Sequence, residues 1–418
     1  MMKRNKIAIQ LSKGLMLLSI ALFSCQKKKE TETFLPPQFQ KGPIIQVLDK
    51  DIALPSLTSH HDKTYASWVE QSEKTSRLYF AELVQNELKN THLIAEGEDW
   101  FVNWADYPQI RIFEDGSLLT VFLKKSGPGT FAYDVMYTLS KNGKEWTVPQ
   151  KLHDDVTQTE HGFVSMSPWG KNMLITWLDG RNTAGGNGHN HDHGHQGQMS
   201  LRAALLDSKG IKLNDWLLDD RVCDCCQTGS TVSQSGPAVV FRDRSATEIR
   251  DIGFISWDGS HWNETKIVNM DLWEIPACPV NGPRIASLGN TLAIAWFTAA
   301  QDRPEVKLVF SEDNGNSFGT PIHIGLGKTI GRVALQMLDD QHAFVIWMEE
   351  GKLLGKKVAK TGKTAAHIEI AASSEKRSSG FPQMTITGNH IWVAWTDDSQ
   401  PKKQIKTAYL NKASILAD

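Results

Sequence analysis

What this 418-residue chain lacks narrows its function first. Charge is nearly balanced, at −2 formally with 22% charged residues, so no basic face is available for nucleic acid and no polybasic patch for a membrane surface. Beyond the first 25 residues no segment reaches the roughly 18 consecutive apolar residues that a transmembrane helix needs. Only six tyrosines and five cysteines occur. The cysteines are too few for a disulfide-dense scaffold, yet four of them crowd into two short segments.

What is abundant is tryptophan, with 14 residues, and its placement is periodic. Apolar runs end on Trp68, Phe122, Trp177, Phe241, Trp296, Trp347 and Trp395, every 48 to 64 residues. Another short run, often opened by Pro and closed by a polar turn, precedes each of them by about ten residues, as in PRIASLGNTLAIAW and PQMTITGNHIWVAW. Several strands inside a period of this size predict the blade of a β-propeller. A single blade cannot bury both faces of its sheet, so the repeats must stack around an axis. The predicted fold is all-β: one propeller of four-stranded blades over residues 42–418, with seven blades, or six if one repeat is an insertion. The seventh repeat is short of an outer strand and IIQVLD (44–49) lacks a partner, so that N-terminal strand is expected to close the ring and cover its edges.

The first 25 residues read as a targeting segment. Lys3, Arg4, Lys6 and Lys13 precede the apolar stretch GLMLLSIALFS, which ends at Cys25. Leu22-Phe23-Ser24-Cys25 resembles a bacterial lipobox, which implies lipidation of Cys25, export, and anchoring to a bacterial membrane by acyl chains alone. An ordinary signal peptide with an incidental Cys is the alternative. Residues 26–41 read as a flexible tether.

Ser311-Glu-Asp313-Asn-Gly315-Asn-Ser317-Phe318, with shorter forms at Ser140–Trp146 and Trp257–Trp262, resembles the Asp-box of neuraminidase-type repeat propellers. That resemblance to the sialidase-like superfamily implies architecture, not activity. It places the Asp-box turns on one end of the ring and the longer loops at the opposite end, around the channel mouth.

The unusual residues fall on those longer loops. Cys223-Asp224-Cys225-Cys226 and Cys278 occupy two consecutive blade-to-blade connections and are expected to meet. They suit a thiolate site for a soft or borderline metal, Cu or Zn. Two disulfides in an exported protein are the competing reading, although a bridge within Cys-x-Cys-Cys would be strained. His161, with His191 and His193 in the loop NGHNHDHGHQ, is placed at the same end as further metal ligands; the histidine loop is equally consistent with low-complexity sequence that scavenges metal without purpose. Arg181, Arg242, Arg244, Arg250 and Arg303 close second strands or follow them, and suit an anion-binding rim. Each could instead pair with an adjacent Asp and brace its loop, leaving Arg242, Arg244 and Arg250 to face a ligand.

Three functions follow from different classes. The first is a monomeric, envelope-anchored propeller that binds metal through the cysteines beside a mouth for an anionic small molecule or glycan. The second is a glycoside hydrolase of sialidase type with structural disulfides, which needs a Tyr–Glu or carboxylate pair below the arginines. The sialidase arginine signature Phe-Arg-Ile-Pro is absent, and Tyr107-Pro-Gln-Ile-Arg111 is the nearest approach. The third is a non-catalytic scaffold with Trp104, Trp169 and Trp273 lining a flat mouth.

Overall fold

The computed structural model describes residues 38–85, 87–184 and 197–417. Cys25 and the tether up to residue 37 lie outside these residues, as do His191 and His193.

Seven four-stranded antiparallel sheets are present. Their innermost strands are Asp51–His60, Gln109–Ile112, His161–Trp169, Gly229–Ser233, Arg284–Leu288, Thr329–Met337 and Gln383–Thr387. Each innermost strand neighbours the next, and the seventh returns to the first, so the sheets form a closed ring of seven blades. Blades 1 to 6 each run from the axis outward in chain order. The aromatic repeat marks the second strands. Trp177, Trp296 and Trp347 are wholly buried, and Trp177 and Trp347 donate their indole N–H to carboxylates two residues on, Asp179 at 2.9 Å and Glu349 at 2.8 Å.

Blade 7 is completed from the N-terminus, but by an earlier segment than the pattern suggested. Gln40–Lys41 pairs with Gln404–Asn411. The contact continues through Gly42 N to Thr407 O at 2.9 Å and the reciprocal bonds between Ile45 and Ile405 at 2.8 and 3.0 Å. Val47 and Leu48 are exposed and Asp49 has φ 61°, because the chain must turn there to enter the innermost strand of blade 1. The closing strand is therefore 40–45, two residues into the stretch read as tether.

The Asp-boxes act as turn devices. Ser311 Oγ accepts from Gly315 N at 2.8 Å, and Asp313 Oδ1 accepts from Ser317 N at 2.9 Å. Gly315 has φ +86°, and a Cβ there would lie 2.2 Å from the Phe254 ring, so the position admits glycine alone. Phe318 packs edge-on against that same ring, with centroids 5.2 Å apart.

Ile45 is 4% exposed and packs among Ile405, Trp392 and Leu57 at the ring seam. Ile45→Ala is expected to lower stability by about 3 kcal/mol, measured by urea unfolding; a change below about 1 kcal/mol would mean the seam is not a structural joint.

Candidate functional site

A cavity of about 430 Å³ opens at the end of the ring opposite the Asp-boxes. Its walls come from connections between blades and from second-to-third-strand loops: Trp104, Glu160, Cys225, Cys278, Arg244 and Arg377 are among them.

The loop 223–228 follows the outer strand Lys212–Val222 of blade 3, and residues 273–283 precede the inner strand of blade 5. They meet because Gly282 has no side chain. Its N–H donates to Gln227 Oε1 at 2.9 Å, and a Cβ would lie 2.0 Å from the Gln227 carbonyl. Gln227 Nε2 in turn reaches the Ala105 carbonyl of the blade 1 to blade 2 connection at 2.7 Å. Three connections are thereby fastened around one point.

At that point lie three thiols. One sulfur from each of Cys223, Cys225 and Cys226 lies within 4.8 Å of the other two, and all four described cysteines are free. Cys223 and Cys226 are buried and their sulfurs are 3.6 Å apart. A tetrahedral ion with Zn–S bonds of about 2.3 Å separates its sulfurs by about 3.8 Å. Cys226 Sγ also accepts from Asn281 N at 3.4 Å, and Arg250 Nη1 donates to Cys223 Sγ at 3.1 Å. Burial alone would raise the Cys223 pKa. Hydrogen bonds from Cys225 and Cys226, with the charges of Arg250 and Arg242, outweigh it and hold this thiol well below its usual range. Burial, followed by the bonds to Cys223, pushes Cys225 and Cys226 upward instead. Cys278 adds its exposed sulfur beside Cys225.

The arginines divide. Arg242 is 1% exposed and serves the scaffold: it donates to the carbonyls of Asn281, Arg250 and Phe297 at 2.6 to 3.2 Å and stacks on Trp273. It has no face toward the cavity, because its register on the second strand of blade 4 turns it inward between sheets. Arg250 is spent on Cys223 and on Glu248 Oε2 at 2.7 Å. Arg244 lines the cavity, held by Glu248 at 2.8 Å and Asp224 at 3.3 Å. Arg181 braces Asp179 at 2.7 Å and reaches Asp154 at 3.2 Å. Arg303 is exposed, bonds Gln301, and is not among the residues that line the cavity. Arg377, from the blade 6 to blade 7 connection, is a lining cation that sequence reasoning missed; only the closed ring brings it opposite blade 4.

His161 does not join the thiols. It begins the inner strand of blade 3, fully buried, beside Asp155 and stacked on His153.

Behind Glu160 lies a second group that the sequence did not announce. The Tyr133 hydroxyl is 2.7 Å from Glu160 Oε1 and 3.2 Å from Asp106 Oδ2. One phenol hydrogen can serve only one of the two carboxylates at a time, which disfavours both being ionised together. Burial pushes Glu160 up to about 8 and Asp106 up to about 7, even though Asp106 also accepts from Phe163 N at 2.8 Å. A Tyr–Glu pair of this kind was the requirement set for a glycosidase. Tyr133 is 0% exposed, however, and Phe101 stacks on its ring at 4.0 Å. The phenol is covered, and burial holds its pKa well above the usual range.

The sequence matches no known protein family and no curated protein. Solved structures share its architecture. The BP39L lectin from Burkholderia pseudomallei superposes with TM-score 0.61 at 11% identity, over 86% of this chain and 96% of the lectin. The polysaccharide lyase Uly1 superposes with TM-score 0.53 at 8% identity, over 90% and 98%. A Hadza microbial sialidase, Hz136, superposes more loosely, with TM-score 0.49 at 12% identity over 82% and 76%. At these identities the likeness to the lectin and the lyase establishes the propeller fold and leaves the chemistry to the site.

Proposed function

We propose that this chain is a metal-binding propeller that holds a soft or borderline ion, Cu(I) or Zn(II), on Cys223, Cys225 and Cys226 with Cys278 at the cavity rim. The observation that carries this reading is the cluster itself: three free sulfurs within 4.8 Å, one of them accepting a hydrogen bond from Arg250. Thiols gathered this closely suit a shared ion, which binds them as thiolates and releases their protons. The cavity above, with Arg244 and Arg377, gives the ion an anionic ligand or a carboxylated glycan as its neighbour. The lipobox-like Leu22-Phe23-Ser24-Cys25 supports placement on a bacterial envelope by a lipid anchor, with the propeller outside the cytoplasm. The covered phenol of Tyr133 weighs against the hydrolase reading, since a nucleophile must reach the sugar.

The test is anaerobic titration with Co(II) and Cu(I) of a fragment beginning at Gln26. One sulfur-bound equivalent is expected, seen as sulfur-to-cobalt charge-transfer absorption and abolished by Cys223→Ser. Absence of that absorption, with four titratable thiols remaining, would overturn the proposal.

The Tyr133 group generates a pH prediction. Asp106 has its pKa raised from 3.8 to about 7 on folding, so the native state holds its proton more tightly than the unfolded chain. The stability it confers is therefore lost as pH rises between about 4 and about 7. Asp106→Asn, which keeps an acceptor for Phe163 N, should remove that loss. Its stability relative to the parent is expected to improve by on the order of 3 kcal/mol from pH 4.5 to pH 8, followed by thermal unfolding across pH. A difference that stays flat would show that Asp106 is ionised throughout.

A further inference from the structure

A second cavity, of about 450 Å³, lies on the axis of the ring, and the inner strands of all seven blades line it. Its walls include residues that close those strands, among them Ser59, Pro168, Leu288 and Met337, so it lies toward the Asp-box end. Phe381 marks the division from the thiol cavity. Its ring packs on Trp104, a wall of that cavity, at 5.7 Å, and beside Tyr107, a wall of this one, at 6.4 Å.

Alternation along the inner strands brings hydroxyl and amide side chains to the axis. Ser167 pairs with Ser230 at 2.9 Å, Thr231 with Ser287 at 2.7 Å, and Thr385 donates to Ser59 at 3.3 Å, each pair joining neighbouring blades. Two charges stand in this neutral wall, Arg111 and Arg284, and no acidic side chain lines the cavity among the described residues. Blades 2 and 5 face each other across the ring. Arg284 Nη2 reaches over to donate to the Tyr107 hydroxyl, at the entry to blade 2, at 2.8 Å.

The hydrogen-bond partners of both guanidiniums are neutral. Arg111 donates to the carbonyls of Met166 and Ile110 at 3.2 and 2.7 Å, and to Gln109 Oε1 at 3.3 Å. Arg284 donates, besides Tyr107, to the Pro283 carbonyl at 3.0 Å, and its guanidinium carbon lies 6.0 Å over the Phe381 ring. A guanidinium carries five N–H donors and no acceptor, so each keeps donors that these bonds do not use. The Tyr107 hydroxyl, which accepts from Arg284, keeps its own hydrogen as well. Withdrawal from water lowers the Arg111 pKa to about 10; Tyr107 opposes that shift and the like charge of Arg284 adds to it. Two cations so placed, with no carboxylate to balance either, are stabilised by an anion between them.

We infer that Arg111, Arg284 and the Tyr107 hydroxyl form a binding site for a small oxyanion of the phosphate or sulfate class. Guanidiniums meet such oxyanions with paired N–H donors. Two positive charges match a dianion, and the serine and threonine hydroxyls of the wall offer donors to its remaining oxygens. The site is independent of the thiols and of Arg244 and Arg377, which line the other cavity.

The experiment is calorimetric titration of the purified full chain with sodium sulfate and with sodium phosphate, together with its melting temperature in each. Sodium chloride at equal ionic strength is the reference. One equivalent of dianion is expected at this site, with a rise in melting temperature that chloride does not give. Preference for either ion supports the site and identifies the member of the class it takes. Arg111→Gln should weaken binding about tenfold or more. Arg284→Gln, which gives up fewer bonds to the fold, should do the same and serves if Arg111→Gln does not fold. Arg303→Gln, at an exposed position that lines neither cavity, should leave binding unchanged. A melting temperature that responds to the dianions no more than to chloride, or binding equally strong in the folded Arg111 and Arg284 variants, would overturn the site.

Discussion

Everything in this molecule depends on each blade covering its neighbour. A four-stranded sheet exposes two faces, and here each is buried only because another sheet stands against it. The ring must therefore close, and the seam between blades 7 and 1 is where closure is made. The pairs Gly42–Thr407 and Ile45–Ile405 convert the C-terminal blade from an open edge into a wall. The buried tryptophans of the second strands then sit at equivalent depths around the ring, each between two sheets.

Closure also explains the site. Inner strands converge on the axis, so the connections entering them are crowded at one end. Residues far apart in sequence become neighbours there: Ala105 with Gln227, Gln227 with Gly282, Arg244 with Arg377 around one cavity. The crowding has electrostatic consequences. Thiols and carboxyls withdrawn from water between blades shift their proton affinity in whichever direction their partners dictate. Cys223, beside Arg250, favours the thiolate; Asp106 and Glu160, which share one phenol, favour the acid.

The same crowding gathers three thiols on the blade 3 to blade 4 connection and a buried Asp134–His153–His161 cluster where blade 2 passes to blade 3. Arg242, with its donors bound to three backbone carbonyls, acts as a bolt between loops, and its burial leaves Arg244 to meet the cavity.

The sequence by itself determined the repeat, the second strands ending on Trp or Phe and the Asp-box turns, because these are local or periodic; it favoured seven blades over six, and the closed ring fixed the count. It also marked Cys223 to Cys226 and Cys278 as neighbours, since consecutive connections must approach the axis together. Tertiary structure alone decided which polar groups meet. Tyr133, Asp106 and Glu160 are spaced by 27 residues in each direction, and no motif joins His153 to Asp134. The inward turn of Arg242 and the outward place of Arg377 follow from strand register and ring closure, which are set by the whole ring and not by any one stretch of chain. The exact closing segment, 40–45 in place of 44–49, was likewise fixed by the register of its partner strand near the far terminus.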